Sequence, residues 1–257
     1  MTAGSWVARS NPVAKLAVAL SLSAVLLLSV DVVTAGTALA LELLALPWCG
    51  LRPGALWRRG WVVLVGAFPV SVTTALLGVD SGRILAGLGP VTVTTGSATS
   101  GLAIGLRVLA VGLPGVVLLA TTDPTDLADA LAQVLRLPAR FVLSALAATR
   151  LFGVLAQEWE ALSLARRARG IGEEGMLGRL RTTGGQVFAL LVLALRRAGV
   201  LATAMEARGF GVVAARTWAR PSRLTARDGA LITGGVLLAA TATAAGVLAG
   251  TWNFVLA

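Results

Sequence analysis

The chain has 257 residues, of which 56% are hydrophobic and 13% charged, against about 25% charged residues in an ordinary soluble domain. Too few polar side chains are present to coat a globule of this size, so a lipid bilayer is the expected solvent. A net charge of +10 must be read by position, because loops facing the cytoplasm collect basic residues. The absence of His and the single Cys49 exclude an internal disulfide and remove the commonest metal ligand and acid–base group, which weakens most enzyme readings.

A spanning helix needs ~20 mostly apolar residues, with ~17 as the lower limit. Five stretches qualify, roughly 14–30, 32–49, 60–78, 101–120 and 229–256. Asp31 separates the first two, which predicts a tight hairpin. Ala38-Leu39-Ala40 has the form of a signal cleavage site, but the apolar pattern restarts at once, as in an uncleaved first helix. The connection 79–100 is rich in Gly, Thr and Ser and carries only Asp80 and Arg83 as charges. The last stretch is rich in Ala, Gly and Thr, a composition that lets helices approach closely. Arg9 and Lys15 precede the first span, Arg52, Arg58 and Arg59 lie between the second and third, and residues 121–228 hold fifteen Arg. Alternating the loops puts all these pieces on one side. The N-terminus and residues 121–228 are therefore expected in the cytoplasm. The division is 1–120, four transmembrane helices; 121–228, a cytoplasmic region; and 229–257, a final transmembrane helix.

Within the cytoplasmic region, Thr121-Thr122-Asp123-Pro124 is a helix start, with a polar cap, Pro in the first turn and Asp126 favouring the dipole. Leu127, Leu131, Val134 and Leu135 follow at helical spacing, and this helix stops before Pro138. A second helix runs from Pro138 to about Arg169 and is ended by Gly170 and Gly172. Residues 170–185 read as a connection. A third helix covers about 186–208 and is ended by Gly209 and Gly211. Its run Val187 to Leu195 is interrupted by Arg196-Arg197, and a charge at mid-bilayer costs about 2.5–3.5 kcal/mol even on a lenient scale. These helices are therefore expected to be amphipathic and to lie at the cytoplasmic surface.

One pattern occurs twice. Ala165-Arg166-Arg167-Ala168-Arg169-Gly170 closes the second cytoplasmic helix and Ala204-Met205-Glu206-Ala207-Arg208-Gly209 closes the third. Arg in a last turn and Gly at the stop also serve the helix itself. Two copies in tandem helices point further, because a permanently charged planar fork at a helix tip suits a carboxylate in another protein's groove. The candidate coupling residues are Ala168, Arg169, Gly170, Ala207, Arg208 and Gly209, supported by Arg166 and Glu206. Glu42 and Arg107 are intramembrane charges, read as paired within the bundle or placed near an interface.

These elements resemble the transmembrane T component of energy-coupling factor (ECF) transporters, the CbiQ/EcfT family. Asn11-Pro12-Val13-Ala14-Lys15-Leu16 is similar to the family's Asp/His-Pro-x-x-Lys-Leu opening, with Asn in place of the acid or His. Arg107, Thr121-Thr122-Asp123-Pro124, Leu127, Pro138, Arg150, Glu158 and the two Ala-Arg-Gly elements follow in order. The resemblance implies an all-α integral membrane protein with about five spans and cytoplasmic coupling helices. It further implies that two ATPase subunits bind at Arg169 and Arg208, and that a membrane S component selects the substrate, a vitamin or a transition-metal ion. The residues agree: no Gly-x-x-x-x-Gly-Lys-Ser/Thr loop is present, so nucleotide must bind elsewhere. No cofactor, no metal site and no nucleic-acid partner are expected. A self-sufficient secondary transporter is disfavoured because the spans show no internal repeat. A membrane-embedded enzyme would have Asp123, Asp126 and Asp129 as its best acidic cluster, without His or a second acidic helix to complete it.

Overall fold

The computed structural model describes residues 5–51, 53–78, 81–88, 91–170, 175–210 and 217–252. In chain order the elements are α1 (Pro12–Leu28), α2 (Val32–Cys49), α3 (Pro53–Leu77), the strands β1 (Ile84–Leu88) and β2 (Val91–Thr94), α4 (Thr95–Thr121), α5 (Pro124–Gln133), α6 (Ala139–Ala168), α7 (Gly175–Ala207) and α8 (Ala226–Leu248). This is an all-α multi-pass membrane protein apart from the antiparallel β1–β2 hairpin, which occupies part of the expected loop 79–100. Among the described residues six helices are long and apolar enough to cross a bilayer: α2, α3 from Leu56, α4, α6, α7 from Leu180, and α8; α1, at 17 residues, is shorter. Two of the six, α6 and α7, are the helices expected to lie on the surface as amphipathic elements. Apolar side chains are spread round α6 rather than gathered in one stripe, with Phe141, Phe152 and Leu164 all exposed. Helix α7 starts at Gly175, inside the expected connection; Gly172 and Gly211 lie outside the described residues.

The chain forms two compact units, Met1–Ala130 with Ser222–Ala257, and Leu131–Pro221. In the first, α1 and α2 each pack principally against α4 and α8, so the short connection at Asp31 joins two helices without clamping them face to face. The centre of that set is Leu26, Ala38, Ala110 and Ala242, one residue from each helix. Small residues set the spacing. A Cβ on Gly235 would meet Val18 Cγ1 at 2.6 Å and one on Gly246 would meet Thr34 Oγ1 at 2.1 Å, so α8 approaches α1 and α2 only as Gly allows. The α3–α4 pair uses the same device, with Gly101 against Ser71 and Ala75 and Gly112 against Val63.

Polar groups tie the helix ends together in two sets. At one end Asn11 caps α1 and its N–H donates to Asp228 Oδ1 at 2.6 Å, while its side-chain amide donates to Ser222 Oγ and the Arg223 carbonyl. An Asp at position 11 could not donate those two bonds. Asp228 is 1% exposed and accepts also from the N–H and hydroxyl of Thr225, the residue that caps α8. Lys15 is buried at the same end. Its ammonium donates to the carbonyls of Ala8 and Thr121 and to Thr122 Oγ1, closing the last turn of α4. At the other end Asp31 caps α2 through Thr34 and accepts from Thr251 beyond α8. The ends therefore meet as alternate crossing requires, with α1 and α8 running one way and α2 and α4 the other.

Candidate functional site

The two Ala-Arg-Gly elements are helix stops of the same construction. At the end of α6 the Arg169 N–H donates to the Ala165 and Arg166 carbonyls, the Gly170 N–H donates to Arg167, and Gly170 has φ +68°. At the end of α7 the Arg208 N–H donates to Met205, the Gly209 N–H to Glu206 and the Phe210 N–H to Met205, with Gly209 at φ +77°. Left-handed backbone at each stop suits Gly and no β-carbon residue without strain. Ala168, Arg169, Gly170, Ala207, Arg208 and Gly209 are all exposed. Among the described residues neither the Arg169 nor the Arg208 guanidinium has an ion-pair or hydrogen-bond partner.

What sequence spacing did not show is how α6 and α7 hold the two stops apart. The helices run antiparallel. Arg166 donates to the Thr182 carbonyl at 2.7 Å, Gln186 donates to the Trp159 carbonyl at 2.8 Å, and Arg197 pairs with Glu158. Arg166 thus braces the hairpin rather than facing outward with Arg169, and Glu206 is exposed one turn before Gly209. Arg208 lines the same groove as Arg150 of α6. Residues 150 and 169 of one straight helix are about 28 Å apart at 1.5 Å per residue, so the two tips lie at opposite ends of the hairpin. The Arg197–Glu158 pair answers part of the problem of Arg196-Arg197 within an apolar run: one of the two charges is met by an anion.

The intramembrane charges are not partners. Among the described residues neither carboxylate oxygen of Glu42 has a hydrogen-bond partner, whereas the Arg107 guanidinium donates to the Leu27 carbonyl. The reason is register: with Lys15 at the level of Thr121, antiparallel packing puts Arg107 beside the last turn of α1, where orphan carbonyls are available. Residues 95–106 of α4 then extend beyond α1 by about 18 Å. Glu42 lies on α2 and lines a mostly apolar cavity of about 620 Å3 between α1, α2, α4 and α8, together with Lys15. Asp123 accepts from the Thr125 N–H as a helix-start cap, so the strongest acidic cluster for an enzyme begins with a structural residue. Among the described residues no group of three or more His, Cys, Asp or Glu is placed to hold a metal.

Comparison with known proteins identifies the family. The sequence profile of the cobalt transport protein family, CbiQ, matches residues 3–217. The chain belongs to the CbiQ/EcfT family of transmembrane T components. Its relatives include the energy-coupling factor transporter transmembrane protein EcfT of Exiguobacterium sibiricum, 36% identical over 44% of this chain and 46% of that protein. An EcfT of Listeria monocytogenes is 30% identical over 58% of each chain, and that of Limosilactobacillus fermentum 28% identical over 69% of this chain and 68% of its own length. The first two matches span about half the length of those proteins. In CbiQ/EcfT terms, the opening motif and the Thr-Thr-Asp-Pro element that the sequence treats as separate signals meet in space: Lys15 of one closes α4 at Thr121 of the other.

Proposed function

We propose that the chain is the non-catalytic energy-coupling subunit of an ECF-type importer. Two separate ATPase subunits each receive one guanidinium, Arg169 or Arg208, and an S component in the membrane supplies a vitamin or a transition-metal ion. The observation that carries this reading is a pair of identically built, exposed helix tips, held at opposite ends of one braced hairpin and each bearing an unpartnered Arg. Such an object couples two grooves of a dimeric motor mechanically, because motion at one tip is transmitted along a rod of hydrogen-bonded backbone. Charge-assisted bonds to carboxylates give each tip its grip.

In this reading α1, α2, α3, α4 and α8 are the five spans, the N-terminus is cytoplasmic in a prokaryotic plasma membrane, and residues 121–228 form the coupling region with both tips in the cytoplasm. The relatives' names, which describe transmembrane proteins of energy-coupling factor transporters, support it. The length and apolar character of α6 and α7 favour a second reading, in which the hairpin crosses the bilayer. An antiparallel crossing would put Arg169 and Arg208 on opposite sides of the membrane. Cysteines placed at 169 and 208 in a Cys49→Ala background decide between the two. Both label from the cytoplasmic side only in the coupling reading, and one labels from outside in the other. The functional test is Arg169→Glu with Arg208→Glu. Each single change lowers ATPase association at least tenfold and the pair abolishes it; normal recovery of ATPase subunits with the double variant defeats the assignment.

A further inference from the structure

The hairpin carries a groove of about 860 Å3 beside the α7 tip. Leu146 and Leu151 of α6 and Leu201 and Met205 of α7 make its floor, and three arginines line it: Arg150, Arg197 and Arg208. Arg197 is matched by Glu158. Arg150 and Arg208 have no partner among the described residues, so two guanidinium groups from two different helices border one apolar trough without a counter-anion. Cationic groups bordering one trough raise the local concentration of anions, and a groove of about 860 Å3 is in the range of sites that enclose a ligand group.

We infer that Arg150 is a second binding cation of the α7 tip. The ATPase segment that receives Arg208 lays an amphipathic face into this groove, with one carboxylate for each of Arg150 and Arg208 and an apolar residue against Leu201 and Met205. The inference rests on the coupling reading and deepens it. It makes the α7 contact a composite of both helices, so α6 contributes to gripping both ATPase subunits, one through its own tip and one through Arg150 halfway along. Guanidinium forks suit this task because each can engage a carboxylate through two parallel N–H bonds.

The test uses the full-length tagged chain in detergent, capturing the ABC ATPase subunits from native membranes, with ATP hydrolysis in the eluate and subunit mass as readouts. Arg150→Glu and Arg150→Met, the latter keeping the apolar stem, should each lower captured hydrolysis about tenfold. Arg150→Lys should retain an intermediate level, and Arg181→Glu, outside the groove, should leave capture unchanged. Membrane levels and elution volume of the variants show that the fold is intact. Normal capture by Arg150→Met, with Arg208→Glu defective, overturns the inference and leaves the coupling reading standing. Normal capture by Arg208→Glu as well overturns both. An equal loss in Arg181→Glu overturns the inference too, since it reduces the effect to bulk charge.

Discussion

The two units of the chain use the same residue types for opposite ends. In the first, Lys15 and Asp228 are buried and spent, Lys15 closing α4 and Asp228 binding three donors, and half-buried Arg107 answers a carbonyl of α1; among the described residues, buried Glu42 is left without a hydrogen-bond partner for its carboxylate. In the second, half-buried Arg166 and Arg197 brace the hairpin, while the exposed tip arginines, Arg169 and Arg208, are left open. Buried charge is costly unless fully hydrogen-bonded, so its presence marks a requirement for a fixed geometry. An exposed, unpartnered guanidinium costs little and is available to another molecule. The contrast separates residues that build the bundle from residues that reach out of it.

Breaking that contrast at its strongest point means reversing both tip arginines. Arg169→Glu with Arg208→Glu should remove ATPase association while thermal stability in detergent stays within about 0.5 kcal/mol, as for exposed substitutions. A large loss of stability would show that the tips belong to the scaffold. The converse change is Asp228→Ala, which orphans the N–H groups of Asn11 and Thr225 in a buried site. It should cost about 3 kcal/mol, read as an unfolding shift in detergent, and the molecules that remain folded should still bind ATPase. Stability equal to wild type would remove Asp228 from the frame.

Smaller effects sharpen the comparison. Glu158→Arg should cost about 1 kcal/mol, because both side chains of the pair remain about a third exposed, and adding Arg197→Glu should restore most of it. Absence of rescue would mean that the two residues act separately. Glu42→Leu is expected to raise stability by about 1 kcal/mol, since it removes a buried carboxyl that has no partner. A loss of stability would mean that the bundle supplies Glu42 with a partner when it is in the membrane.

Much of the fold is legible in the residues one at a time. The stretch 32–49 coincides with α2, and Gly170 and Gly209 close α6 and α7 in the left-handed conformation expected of them. Of the Thr and Asp residues before Pro124 that could cap the helix, Asp123 accepts from the Thr125 N–H. Three of the misses share one cause. The β1–β2 hairpin falls in a segment whose composition reads as loop. The tight pairing expected of the first two helices gives way to packing on α4 and α8. The suggested Glu42–Arg107 pair does not form. Each depends on which distant residue comes alongside, and single-helix periodicity carries no such information.

The sequence by itself determined that this is a multi-pass membrane protein, where α2 and α6 start and stop, and that two guanidinium-bearing stops recur in tandem. Those features are local: apolar length, cap chemistry and the backbone freedom of Gly act within a few residues. The tertiary structure alone decided that Asn11 meets Asp228, that Lys15 closes α4, and that Arg150 and Arg208 share one groove. Helix register decides these meetings, and register is set by close contacts such as Gly235 on Val18, between residues far apart in the chain.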